Sequence, residues 1–173
     1  MNNECLNLIK TRRSWRRFEN RQVLKEQLDA VLEVGTYAPT GRGMQSPVIV
    51  AVQDPDTLRE LVKLNASILG TDSNPYYGAP TILLVFADSE RNTCVEDGSC
   101  VLNTLLLAAH AVGLCSCWIH REREMFETPE GRALMKRWGL PDRLIGIGAL
   151  ALGYPEGEAP AAKPRKPDYI VRI

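Results

Sequence analysis

The chain has 173 residues, is 45% hydrophobic and carries 21 basic against 21 acidic side chains, so its formal charge at pH 7 is zero. That length is enough for one globular domain spanning 1–173, and no apolar run reaches the eighteen or so residues of a membrane span. Net neutrality with three Phe and three Trp argues against a nucleic-acid partner held by an overall basic face.

In chain order, the opening MNNECLNLIKTRR lacks the basic, apolar and small-residue sequence of a signal peptide, so a cytoplasmic protein is expected. Leu24, Leu28, Val31 and Leu32 recur at helical spacing among charged residues, and Pro39 closes that amphipathic helix. A loop over 39–47 leads to a short β-branched strand over 48–52. Asp54-Pro55 reads as a helix cap with proline at the first position, and Leu58, Leu61 and Val62 mark the inner face. A strand is expected over 81–87 and a buried, nearly all-apolar helix over 97–112, ended by Gly113. Residues 114–119 read as a third strand, Thr128-Pro129-Glu130 opens a helix ended by Gly139, and 144–152 is a fourth strand. Helices alternating with strands suit a parallel α/β sheet or an antiparallel α+β sheet wrapped by helices. The Pro- and Ala-rich stretch over 155–167 belongs to an extended C-terminal arm, 155–173.

Charge is unevenly spread. Lys10, Arg12, Arg13, Arg16, Arg17 and Arg21 stand at one end and Lys163, Arg165, Lys166 and Arg172 at the other, while residues 23–162 hold eleven cations against eighteen acids. If the two clusters meet, like charges about 8 Å apart repel by roughly 2 kcal/mol per pair at an effective dielectric near 20. A bound phosphate relieves that repulsion through charge-assisted hydrogen bonds. In extended backbone Arg12, Ser14 and Arg16 share a side, as do Lys163 and Arg165, which together make a phosphate cup. Two solvated basic tails are the alternative.

Other chemistry lacks its signature. The five cysteines are an odd number without framework spacing and read as reduced thiols. His110 falls on the buried helix as a core histidine, and His120 lies at a strand end. No GxSxG elbow, HExxH pair, metal cluster or complete dinucleotide glycine fingerprint occurs, so no catalytic side chain and no metal ligand is assigned. A phosphorylated cofactor that brings its own reactive group fits this pattern.

Four segments carry a family resemblance: Arg12-Arg13-Ser14-x-Arg16-x-Phe18; Ala38-Pro39-Thr40-Gly41-Arg42-Gly43-Met44-Gln45; residues 103–119, NTLLLAAHAVGLCSCWI; and Leu152-Gly153-Tyr154-Pro155 with Lys163-Pro164-Arg165-Lys166-Pro167. Together, and in this order, they resemble the FMN-dependent nitroreductase family over nearly the whole chain. The resemblance implies an α+β fold, a three-layer α-β-α arrangement with a central, mainly antiparallel sheet. It also implies a homodimer with FMN at the subunit interface. Arg12, Arg13 and Ser14, with Lys163 and Arg165, are then expected at the FMN phosphate. Arg16 is expected near the pyrimidine edge, where positive charge favours the reduced flavin. Pro39, Thr40, Gly41 and Gln45 are expected to reach the cofactor from the partner subunit. Trp118, Ile119 and His120 are expected to pack on the ring and offer a backbone N–H to N5, and Asn65 to bond the pyrimidine. Gly43 stands where the family often has Asn, Ser46-Pro47 replaces a common Pro-Trp, and His120 occupies a frequent glycine position.

The expected activity is electron-pair transfer from NADH or NADPH, a transient donor, through the flavin to a small nitroaromatic or quinone-like acceptor by ping-pong turnover. The alternatives are a non-enzymatic flavin carrier or sensor, and a related flavin activity such as dehalogenation or enoate reduction. A small RNA-binding module, with Trp15 and Phe18 interleaved among the arginines, is a third class. Arg42 and Arg121 are cations that suit the additional phosphate of NADPH.

Overall fold

The structure is a computed structural model that describes residues 3–173. Helix α1 (Glu4–Thr11) begins at Asn3, whose side chain accepts from the Leu6 amide at 3.2 Å. Extended backbone then leads to α2 (Lys25–Gly35), a tight turn at Gly41–Gly43 and strand β1 (Val48–Val52). Asp54 caps α3 (Pro55–Leu69) by accepting from the Thr57 amide at 2.8 Å, and Gly70 ends that helix in the left-handed conformation. Then follow β2 (Thr81–Asp88), α4 (Cys94–Ala111), β3 (Cys115–Ile119), α5 (Glu122–Glu127), α6 (Pro129–Arg137) and β4 (Leu144–Gly153).

The strands lie in the order β1-β2-β4-β3 and every pairing is antiparallel, which decides against the parallel α/β alternative. Strand alternation splits the apolar side chains into two cores. Ile82, Leu84 and Phe86 of β2 face α3, α5 and α6, where Leu61, Met125, Phe126 and Leu134 meet them. Leu83, Val85 and Ala87 face α2 and α4, against Leu28, Val31, Leu102 and Leu105. Each fully buried large apolar side chain contributes about 1.5–3 kcal/mol, and the two cores together make a three-layer α-β-α fold.

Two elements have no counterpart among the sequence expectations. Helix α1 has no buried residue, and α5 has only six residues, so neither displays a usable apolar period. Helix α4 starts three residues before the expected position and is not buried all round, because Val95, Glu96, Asn103 and Ala111 reach solvent along one stripe.

Close packing on β4 holds α5 in place. Opposite Val85 and Phe86 the register slips past Ile147, and Gly98 of α4 makes room for that side chain. A Cβ at Gly146 would lie 2.4 Å from the Glu122 carbonyl oxygen. Gly146→Ala is therefore expected to push the start of α5 off the sheet at a cost of about 1–3 kcal/mol. Thermal unfolding should show Tm lower by roughly 2–12 °C, and an unchanged Tm would contradict the contact.

Candidate functional site

The arginine segment is laced onto the sheet. Strand β3 is an edge, and Ser14 pairs with Ser116 in parallel fashion while the Trp15 amide donates to the Ser116 carbonyl at 3.0 Å. Phe18 is buried and pairs with Pro155, the Glu19 amide donates to the Tyr154 carbonyl at 3.0 Å, and the Glu156 amide donates to the Arg17 carbonyl at 3.2 Å. This seam brings the first basic segment to the root of the C-terminal arm.

Arg12 and Arg16 both act on the buried Cys117 thiol. Burial raises its pKa, and the two guanidinium groups oppose that rise. Cys115 is pushed up to about 12, chiefly by burial. Arg16 is exposed, lies over the Tyr77 ring at 5.7 Å and has its pKa raised, first by a hydrogen bond with Tyr77. Arg13 turns back, its Nη1 donating to the Lys10 carbonyl at 2.7 Å and the Arg12 carbonyl at 2.8 Å, so one of its nitrogens caps α1. Arg12 differs from both, because its Nη1 is buried without a hydrogen-bond partner.

Thr11, Arg12, Arg13 and Ser116 line a pocket of about 240 Å³ together with His110 and Ala159. His110 is thus not the core histidine expected from its helix; it is half-buried at this pocket. The Thr11 hydroxyl donates to the Asn7 carbonyl at 2.8 Å, which leaves its oxygen to accept from His110 Nε2 at 3.0 Å. Burial, then Arg12 and Arg13, lower the His110 pKa.

The expected second half of the cup does not close within one chain. Lys163 and Arg165 lie on an arm exposed from 156 to 173, and neither makes a hydrogen bond or ion pair among the described residues. The arm also exposes Tyr169, Ile170, Val171 and Ile173. Pro39 and Gln45 are exposed and Thr40 and Gly41 half-buried on a tight loop in which Arg42, Gly43 and Gln45 have positive φ. The Gly41 amide donates to Asp97 Oδ1 at 2.8 Å and the Gln45 amide to Thr40 Oγ1 at 3.0 Å. Asp97 is buried near the start of α4, so the loop is anchored from the core, while Ser46 Oγ is buried without a partner.

At the end of β3, Trp118 is half-buried, Ile119 buried and His120 exposed. Asn65, expected at the flavin pyrimidine, is 0% exposed in the single chain. Its amide is occupied internally. Nδ2 donates to the His120 carbonyl at 3.1 Å and to Tyr76 Oη at 3.2 Å, and Oδ1 accepts from Arg121 Nε at 2.9 Å. Tyr76 Oη donates to Glu122 Oε1 at 3.1 Å, while Glu122 Oε2 is buried without a partner. Arg121 has φ 86°, a conformation that favours glycine and costs a larger residue of order 1–3 kcal/mol. Burial pushes the Glu122 carboxyl up to about 8, so it stays protonated at neutral pH, and it also raises Tyr76 well above its usual value.

Sequence spacing did not reveal Tyr77, His110, Asp97, Tyr76 or Glu122. Only Asp97 had a local signal, as an acid in the first turn of a helix. Among the described residues no group of three or more His, Cys, Asp and Glu gathers as metal ligands, and no helix is long and apolar enough to cross a membrane.

A sequence profile of the nitroreductase family matches residues 9–75. A nitroreductase from Bacteroides fragilis, solved with bound FMN, superposes with a TM-score of 0.92 at 30% identity, covering 99% of this chain and 100% of its own. A protein of Archaeoglobus fulgidus, provisionally named NADH dehydrogenase/NAD(P)H nitroreductase, is 29% identical over 163 residues, 90% of this chain and 87% of its own. The Bacillus subtilis FMN reductase [NAD(P)H] is 25% identical over 191 residues, covering 98% and 72% respectively.

The buried carboxyl makes stability depend on pH. Glu122 titrates near 4.5 when unfolded and near 8 when folded, so between those values the folded chain holds a proton that the unfolded chain releases. Its contribution therefore declines as pH rises from about 4.5 to 8 and is level above, at about 1.4 kcal/mol per unit. Glu122→Gln should remove this decline, so the stability of the variant relative to wild type should grow with pH across that window in denaturant titrations. A difference independent of pH would sink the assignment.

Proposed function

The chain belongs to the nitroreductase family, and we propose that it is an FMN-dependent homodimeric oxidoreductase, using NADH or NADPH to reduce a nitroaromatic or quinone-like acceptor by ping-pong turnover. FMN held in this site would supply the two-electron redox chemistry. One observation carries the reading: Arg12 Nη1 is a buried cationic donor without an acceptor, an arrangement that costs stability until an anion fills it.

The chain's residues divide the work of holding the cofactor. Arg12, Ser14 and the free nitrogens of Arg13 grip the phosphate, and Lys163 and Arg165 join them when the arm packs. Arg16, lying over the Tyr77 ring, faces the pyrimidine edge and favours a negative reduced ring. Trp118 and His120 line the ring, with Ile119 contributing backbone alone because its side chain is buried. Pro39, Thr40, Gly41 and Gln45 approach from the partner subunit on the loop that Asp97 anchors. The dimer is supported by the apolar arm end at Tyr169, Ile170, Val171 and Ile173, which needs a covering surface.

Freshly purified protein should be yellow, and anaerobic NADH or NADPH should bleach it within seconds. Arg12→Ala combined with Arg165→Ala should lower FMN affinity by at least a hundredfold, as read by quenching of flavin fluorescence. Full flavin retention by the double variant, or a colourless wild type that stays empty in excess FMN, would overturn the proposal.

A further inference from the structure

We propose that Asn65 is a positioning residue: from inside the core it locks the turn carrying His120 and Arg121, and thereby sets how tightly the flavin is held and at what potential it works. The second half of that statement rests on the FMN reading above. Asn65 has no accessible surface, so its influence passes through the backbone.

Two bonds make the lock. Asn65 Nδ2 draws the His120 carbonyl inward at 3.1 Å. The described residues contain no cis peptide, so the amide N–H of Arg121, on the opposite side of the same planar unit, points outward from Asn65. That N–H has no hydrogen-bond partner among the described residues, which leaves it free to serve a cofactor at the ring edge. The second bond, Arg121 Nε to Asn65 Oδ1 at 2.9 Å, folds the side chain of Arg121 back onto the core. It offsets the left-handed backbone that glycine would adopt without help. Behind Asn65, Tyr76 Oη at 3.2 Å and Glu122 Oε1 at 3.4 Å keep its amide from rotating.

The test uses Asn65→Ala, Arg121→Ala and Arg121→Gly. In flavin-free protein, Asn65→Ala and Arg121→Ala should speed exchange of the Met125 amide, which donates to the Arg121 carbonyl at 2.9 Å, at least tenfold, and Arg121→Gly should do so clearly less than Arg121→Ala. In protein reconstituted with FMN, Asn65→Ala should weaken binding about tenfold. It should also change the ratio of affinities for oxidised and reduced flavin about tenfold, roughly 30 mV for a two-electron couple. A lowered Tm with unchanged exchange and potential would mean that Asn65 only packs the core, and would overturn the proposal. Equal behaviour of the alanine and glycine variants at 121 would overturn the lock as described, and because that position is half-buried both should fold even if Asn65→Ala does not. If wild type binds no FMN, the functional reading fails instead, and the exchange rates of the flavin-free variants still decide whether the lock exists.

Discussion

The candidate site depends on one edge contact, the pairing of Ser14 with Ser116 and the 3.0 Å bond from the Trp15 amide to the Ser116 carbonyl. A sheet edge presents unsatisfied backbone groups, and this chain covers part of its β3 edge with its own basic segment. The same pairing therefore finishes the sheet and fixes the direction of alternate arginines. Phe18, buried three residues beyond Trp15, keeps the seam from peeling away. Guanidinium groups on a free tail would lose entropy on meeting an anion; on this seam, part of that ordering has already occurred.

Buried polar side chains do the corresponding work for the loops. Asp97 reaches out of α4 to the Gly41 amide, and Asn65 reaches out of α3 to the His120 carbonyl. Each group would be costly alone in a low-dielectric interior, and each is satisfied by backbone that no helix or strand could satisfy. Two nominally irregular segments are in this way tied to rigid elements. Among the described residues, three buried side-chain atoms lack partners, on Arg12, Ser46 and Glu122, and all three belong to these segments or to the seam.

Elements with a strong local rule were legible from sequence. Strand β1 follows from a short β-branched run and α3 from the Asp54-Pro55 cap. Helix α1 was not, because it buries no side chain, and the antiparallel pairing was not, because alternation of helix and strand permits either direction. The resemblance to a family supplied that direction. Asn65 was expected at the pyrimidine from the family resemblance alone, and its hydrogen bonds to the His120 carbonyl and to Glu122 of α5 join it to groups more than fifty residues away, which no local pattern reveals. His110 departs from its expected core place: its helix is largely buried, yet Thr11 from a distant segment draws it to a pocket.

The thiols flanking Ser116 have a chemical consequence. Cys115 and Cys117 sit on the strand that carries the seam, both buried, with Cys115 pushed up to about 12. Oxidants and electrophiles attack the thiolate, and a sulfur that seldom ionises and has little access to solvent reacts slowly with either. The strand that aligns the arginines is thereby shielded from covalent damage, while among the described cysteines Cys5 on α1 is the most exposed to it.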